Sequence, residues 1–393
     1  MSGNPVKKVL IYYRYFGRTH GGGDYLPLAF VAELQKQCDV TLALDWTKYF
    51  HQAVEFFGIP IDTSRLNLVM LMPKDYNPTK HSARLSLLRF RKLKKLAETA
   101  DICIACDNLM DFGRPAHHFL SSAAFGDAGF ADYVKTHRIP AAVPLSRRLR
   151  DLADKCLRVV LGMRTRREII CNPKEHIYPN SRYIASLLLE YYGGFNGSVF
   201  YPPTIFDIAA DGVEKDPLKV VYIGRLIADK RIADIISIVE RARELSGKNI
   251  TLSMAGSMWS EEYREKLEKL TSGMDWVDFP GELHGAEKTK FLLSGAYAVH
   301  AMREEAFGIS ITEYLKAGII PVVPDSGGAC EVADDPELSF RDNEDAAGIL
   351  ARLLEDPEFR ERQRRRCAER AGVFSRESYM QRQHKILKEI VGS

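Results

Sequence analysis

Long apolar runs rich in Val, Ile and Leu, each followed by a stretch of helical period, constrain this chain more than any other feature. KKVLIYY, CDVTLAL, LNLVML and ADICIAC punctuate the first half, and KVVYIGR, NITLSMAG, WVDFPG, YAVHAM and IIPVVP the second. A strand with no polar alternation is covered on both faces, which predicts parallel sheets with crossover helices on either side. Such sheets bind ligands at the carboxyl ends of their strands. The 393 residues exceed one compact core and suit two domains. The break is expected near VFYPPTIFDIAADGVEKDPLK, residues 199–219, which contains three prolines and a charged, poorly periodic tail. The sequence therefore predicts an α/β fold of two doubly wound domains, 1–200 and 217–373, joined by a linker at 201–216 and facing one another across a cleft. The closing segment FSRESYMQRQHKILKEI reads as an amphipathic helix over 374–391, with Ser375 as its N-cap and Ser378 in its first turn.

The bulk properties exclude several classes. A formal charge of +3 is nearly neutral for this length, so nothing global implies a nucleic-acid partner. No run of eighteen apolar residues is present to span a bilayer. MSGNPVKKVLIYYRYFG lacks the layout of a signal peptide, because its apolar stretch is short and broken by Arg14. The seven cysteines are scattered. Cys103 and Cys106 form a C-x-x-C inside a strand pattern, which sends the two thiols to opposite faces and argues against a metal or redox pair. A reducing cytoplasmic setting is the expectation.

Five segments carry candidate chemistry. Gly21, Gly22 and Gly23 lie where the first strand gives way to a helix, a place that suits close approach of an anion, although a plain turn explains the same glycines. They do not make a G-x-G-x-x-G, and a dinucleotide-binding dehydrogenase is weakly supported. FGRPAHHFLSS places His117 and His118 in a loop after the fourth strand, either of which can face a substrate or simply the surface. IYPNSRYIASLLLEYYG reads as a strand end capped at Asn180 or Ser181 before a helix. GRLIADKR sets Gly224, Arg225 and Lys230 just past the first strand of the second half, where a forked guanidinium and a compact ammonium suit a diphosphate.

The fifth segment is REEAFGISITEYLKAG. Its helix is expected to open near Gly308 and to stop at Gly318, with Ile311, Tyr314 and Leu315 turned to the core. Ser310 and Glu313 share another face. The amides of Phe307, Gly308 and Ile309 would then point at an anion. A carboxylate in the body of the helix suits a vicinal diol such as ribose. Glu305, outside it, would meet whatever lies beyond the phosphates.

Glu305 and Glu313 resemble the E-x7-E pair of retaining glycosyltransferases of the GT-B fold, family 4 (glycosyl transferases group 1). GRLIADKR is similar to that family's G-R-L-x-x-x-K, FPGEL to its base-binding loop, PDSGGACEV to its Gly-Gly loop, YPP to its linker, and FSRESY to the helix that crosses back to the first domain. VHAMREEAFGISITEYLKAGIIPVV also resembles the mannosyltransferases that use GDP-mannose to extend dolichol-linked oligosaccharide. The resemblance implies two Rossmann-like domains, a nucleotide-sugar donor and a glycan or lipid-linked acceptor held by the first domain. It implies that Arg225 and Lys230 stabilise the departing nucleoside diphosphate and that Glu313 holds the ribose. Glu305 would contact the donor sugar with the amides of Phe307, Gly308 and Ile309. Main-chain groups from Gly281 to Leu283 would hold the base, and Gly22 and Gly23 would close over the phosphates. His118 would occupy the place of the family's cleft histidine, with His117 competing for it.

No D-x-D occurs in the chain. With Arg, Lys and a helix N-terminus in the cation's place, no metal and no cofactor are expected. A nucleotide-sugar epimerase of the same shape and a non-catalytic nucleotide-sugar-binding protein remain as alternatives, and donor hydrolysis separates the second from an enzyme. On the acceptor side, residues 80–100 carry six Lys or Arg between Arg84 and Lys95, interleaved with Leu85, Leu87, Leu88 and Phe90. Eight more lie between Arg147 and Arg167. Such helices are either solvated faces or contacts for an anionic membrane, which would put the protein at its inner, cytoplasmic face in polysaccharide or lipid-linked glycan synthesis.

Overall fold

A computed structural model of the protein describes residues 5–18, 20, 22–73, 76, 83–121, 130, 133–134, 136, 160–204, 214–258 and 260–392. The chain divides into two compact units, Met1–Ile205 with Tyr379–Ser393, and Phe206–Ser378.

The first unit is built on six strands: β1 (Lys8–Tyr15), β2 (Asp39–Trp46), β3 (Asn67–Met70), β4 (Ile102–Asp107), β5 (His117–Leu120) and β6 (His176–Pro179). They lie in the order β3-β2-β1-β4-β5-β6, and every pair is parallel. Val9, Ile11 and Tyr13 of β1 meet one face cluster, while Leu10 and Tyr12 meet the other. The helices α1 (Gly22–Leu34), α2 (Phe50–Phe57) and α3 (Ala83–Ala97) supply the cover. The thiols of Cys103 and Cys106 fall in opposite clusters, as the strand period requires, and burial pushes Cys103 up to about 12. Two further helices, α4 (Arg166–Ile170) and α5 (Arg182–Tyr192), flank β6. Ser181 caps α5 by accepting from the Ile184 amide at 3.0 Å.

One expectation needs correction. His117 and His118 are not in a loop: they form the start of β5, paired to β4 and β6. Their four-residue strand has no Val or Ile run to announce it. The apolar face of α3 is used inside the unit. Leu93 and Ala97 are core residues, with Leu85, Leu88 and Leu96 packed beside them, and Phe90 is buried. Nor is its Arg89 available to a membrane, since it grips the buried Asp45 at 2.6 Å. Residues 147–159 of the second basic segment lie outside the described residues, as do 205–213 of the expected linker and Gly21.

The second unit repeats the plan with β7 (Asp216–Ile223), β8 (Thr251–Ala255), β9 (Val277–Gly281), β10 (Gly295–Val299), β11 (Ile320–Pro324) and β12 (Ser339–Phe340). Their order, β12-β11-β10-β7-β8-β9, is again parallel throughout. Counted along each unit, both sheets have the order 3-2-1-4-5-6, the doubly wound arrangement that binds ligands where the strand order reverses. The helices are α6 (Ile232–Ser246), α7 (Glu261–Leu270), α8 (Gly285–Ser294), α9 (Ile309–Lys316), α10 (Gly327–Ala333), α11 (Asn343–Glu355) and α12 (Pro357–Val373).

The last helix, α13 (Arg376–Gly392), opens with the Ser378 amide donating to Ser375 Oγ at 3.1 Å. Its Tyr379, Leu387 and Ile390 are buried in the core of the first unit. Gln383 Nε2 donates to the Ala29 carbonyl at 3.1 Å, and Lys7 Nζ to the Val391 carbonyl at 2.6 Å.

Candidate functional site

In the second sheet the order reverses between β7 and β10, and the loops that follow these two strands carry the candidate residues. After β7, the Gly224 amide donates to the Ala255 carbonyl at 3.0 Å and the Leu226 amide to that of Ser257 at 2.9 Å. This fixes the turn from which Arg225 projects, exposed, with its carbonyl accepting from the Tyr222 hydroxyl at 3.2 Å. A single 3₁₀ turn, Ala228–Lys230, then turns the Lys230 ammonium inward.

Lys230 meets Glu305 in an ion pair whose side chains are 14% and 16% exposed. Burial on its own would raise the Glu305 carboxyl, but Lys230 and then His300 outweigh it and hold the group below its ordinary value. His300 follows β10 directly, its amide donating to the Val322 carbonyl at 2.9 Å. Its ring is 2% exposed, with Nε2 3.5 Å from Glu305 Oε2, and neither ring nitrogen has a hydrogen-bond partner. Burial, with Lys230 adding to it and Glu305 opposing it, pushes this imidazole down to about 4. It is neutral at pH 7.

The segment 303–308 leads from there into α9. Gly308 is the N-cap at φ 92°, a left-handed conformation that disfavours a Cβ, and no side-chain oxygen caps the helix. The amino end of α9 is thus left to the main chain, the arrangement that favours an anion. Ile311, Tyr314 and Leu315 are buried as the sequence predicts, and Tyr314 Oη accepts from the Ile223 amide at 2.7 Å. That bond ties the helix to the end of β7, so the two loops share one frame. Glu313 is buried in the body of α9 and paired with Lys288 of α8 at 2.7 Å. The Gly-Gly loop lies against the same segment: Gly328 donates its amide to the Glu305 carbonyl at 2.6 Å. A Cβ on Gly328 would stand 2.4 Å from the Ala306 carbonyl oxygen.

Lys230 and Glu305 are therefore in direct contact. Arg225 acts on the same hydroxyl, that of Tyr222, which also feels Glu305. Gly308 and Ile309 stand at the mouth of α9, while the Phe307 side chain is buried edge-on to Phe374. Gly281 ends β9 exposed and Leu283 follows it half-buried, with the Gly281 carbonyl accepting from the Gly256 amide at 2.8 Å.

Gly22, Gly23 and His118 belong to the first unit. The two glycines open α1 and are helical rather than looped. His118 is fully buried, with Nε2 2.9 Å from Glu175 Oε2 and Nδ1 accepting from the Met110 amide at 3.4 Å. Arg164 completes this network on Glu175 and Asp111. Both His118 nitrogens are thus engaged within the protein. His117 is half-buried and stacked on His176 at 4.8 Å, and burial pushes it down to about 3.

Sequence reasoning missed His300 and Lys288. The first had a faint signal, one histidine in the otherwise apolar YAVHAM. The second had none, because a lysine on a surface helix reads as solvated until its partner is seen. Among the described residues, no group of three or more His, Cys, Asp or Glu is placed to hold a metal ion.

Residues 205–370 match the family model for glycosyl transferases group 1. Over 184 residues the chain is 26% identical to the GDP-Man:Man(3)GlcNAc(2)-PP-Dol alpha-1,2-mannosyltransferase of Eremothecium gossypii, covering 42% of this chain and 31% of that protein. The corresponding Kluyveromyces lactis enzyme is 28% identical over 149 residues, covering 34% of this chain and 26% of its own. These matches span about a third of the relatives' length or less. Among solved structures, Anabaena HepE in complex with UDP and glucose superposes with a TM-score of 0.66 at 15% identity, covering 98% of this chain and all of that one. WaaG, a glycosyltransferase involved in lipopolysaccharide biosynthesis, gives 0.65 at 14%, covering 98% of this chain and all of its own. The fold is that of the GT-B glycosyltransferases.

Proposed function

From the premise that the second unit is a glycosyl transferases group 1 domain, we propose that the protein transfers a hexose from a nucleoside-diphosphate sugar to a glycan or lipid-linked acceptor. The observation that carries this reading is the convergence at one strand-order reversal of Arg225, Lys230, Glu305 and the uncapped amino end of α9. Two fixed cations and a helix dipole are suited to the negative charge that grows on a departing diphosphate. Glu313 accepts the ribose hydroxyls, and the main chain from Gly281 to Leu283 faces the base. GDP-mannose is favoured over UDP-sugars, in keeping with the names of the curated relatives.

The transfer retains the anomeric configuration. The acceptor hydroxyl attacks from the face that the diphosphate leaves, its oxygen bonding to the anomeric carbon as the bond to the phosphate oxygen breaks. That phosphate oxygen takes the hydroxyl proton. Glu305 binds the sugar and steadies charge without forming a glycosyl bond. Lys230, Arg225 and the α9 amides perform the neutralisation that a divalent ion performs elsewhere, so turnover persists in EDTA. Loss of activity there, restored by Mn²⁺, overturns that part.

Among the described residues no helix is long and apolar enough to cross a membrane. Contact with an anionic inner-leaflet surface, if the acceptor is lipid-linked, falls to the exposed Arg91, Lys92, Lys94 and Lys95 of α3 and is electrostatic rather than inserted. Thermal-shift screening with GDP- and UDP-sugars tests the donor. A ligand at 100 times its dissociation constant stabilises by about 2.7 kcal/mol. Melting temperatures unmoved by every nucleotide sugar and nucleoside diphosphate reject the reading.

A further inference from the structure

The Lys230–Glu305 pair raises a problem of charge. Resting on the functional reading above, the donor diphosphate must draw on Lys230, which Glu305 now holds. Whatever part of that ammonium goes to the phosphates is withdrawn from a carboxylate only 16% exposed. A buried carboxylate stripped of its cation is poorly tolerated, and either neutralises or finds another donor. Glu305 must also stay ionised beside a sugar whose hydroxyls it would accept.

His300 is the group placed to answer. It is 2% exposed with both ring nitrogens unpartnered, an uncommon condition for a buried polar side chain and one that calls for an explanation. Its packing alone is satisfied as well by an apolar residue, as in the neighbouring Ala298 and Val299. Nε2 stands 3.5 Å from the same oxygen, Oε2, that Lys230 holds. A movement of about half an ångström turns that approach into a hydrogen bond of ordinary length. The ring is neutral at pH 7, so it carries one N–H and adds no charge to compete with Lys230 for the phosphates.

We infer that His300 is a positioning residue that takes over Glu305 from Lys230 when a diphosphate binds: the lysine turns to the anion and the Nε2–H of His300 donates to the freed carboxylate. The resting ion pair is then an exchangeable latch, and His300 holds the carboxylate in place once the latch opens. His300 touches neither donor nor acceptor.

Calorimetric titration of UDP and GDP into the full-length protein tests this with five variants: His300→Phe, His300→Leu, His300→Gln, Glu305→Gln and the double variant His300→Phe/Glu305→Gln. His300→Phe is expected to weaken the nucleoside diphosphate that wild type binds by about tenfold, the scale of one lost hydrogen bond to a charged group. Leu, close to imidazole in volume, serves if the phenyl ring unfolds the unit. His300→Gln, which keeps a donor, stays within about threefold of wild type. In the Glu305→Gln background the His300→Phe loss disappears, an outcome that a purely structural histidine does not produce. Wild-type affinity in the Phe and Leu variants, an equal loss in His300→Gln, or an undiminished loss in the double variant overturns the proposal alone. Failure of wild type to bind either diphosphate overturns the functional reading as well.

Discussion

At the residue scale, Lys230 and Arg225 differ in how they are held. Lys230 is half-buried against a carboxylate, whereas Arg225 is exposed beside Tyr222. Lys230→Ala therefore leaves Glu305 short of a cation and costs some stability, while Arg225→Ala removes an exposed charge. Both are expected to lower kcat by about 10² to 10³, the range for one lost electrostatic donor. Initial-rate assays alongside circular dichroism check this, and wild-type rates from both variants remove them from the mechanism. His300 predicts a pH effect of definite sign. Its folded value, about 4, lies below the ordinary value of 6.5, so the unfolded chain takes the proton first as the pH falls. Stability is complete above pH 6.5 and is lost between 6.5 and 4. His300→Gln removes this loss, ~3 kcal/mol at most, and flattens the acid limb of a plot of denaturation midpoint against pH. An acid limb as steep as wild type's would show that His300 already titrates normally in the fold.

The site was legible in sequence where a residue's role depends on near neighbours along the chain. Glycine at 308, the apolar face at 311, 314 and 315, and two carboxylates eight positions apart all belong to one helix and its approach. Partner choice was not legible. Lys288 is 25 positions from Glu313, and Lys230 is 75 from Glu305, so only the folded sheet brings them together.

At the scale of elements, the strands that could be read were those with apolar runs of their own. The runs in β1, β2, β3, β4, β7, β8, β10 and β11 announce themselves through their aliphatic side chains, and β9 through WVDFPG. β5, HHFL, does not, and β6, HIYP, shows only as a strand end before Asn180, since their cores are made by stacking. His117 lies on His176, and Phe119 lies on Tyr178 at 4.4 Å. Rings that pack on each other across neighbouring strands leave no aliphatic run in either sequence. The contact of α10 with the 303–308 segment gives the prediction proper to this scale. Gly328→Ala places a methyl group 2.5 Å from Phe307 Cα, against main chain that cannot swing away. The amino end of α9 must shift, and nucleoside diphosphate affinity is expected to fall at least tenfold, with a loss of about 1–3 kcal/mol in stability. Calorimetry and chemical denaturation measure both, and unchanged values would mean that α10 yields instead.

At the scale of the molecule, two sheets of identical strand order share one chain, and α13 returns Tyr379, Leu387 and Ile390 to the first of them. Burying each such side chain is worth about 1.5–3 kcal/mol. A chain ending at residue 375 leaves their sites open among Phe30, Phe200 and Tyr25. Truncation is expected to destabilise the first unit by several kcal/mol and to spare the second. Limited proteolysis followed by mass spectrometry distinguishes the two: cuts confined to residues 5–204 support the division, and equal cutting of both units refutes it.

The return of α13 also sets an order of events in synthesis. A nascent chain usually completes its amino-terminal domain while the remainder is still being made. Here the last core residues of the first unit leave the ribosome only after the whole of the second. Until then a hydrophobic trough beside α1 stays uncovered, so the second unit is the one able to mature first, and the earliest-made half of the protein must wait for its final helix.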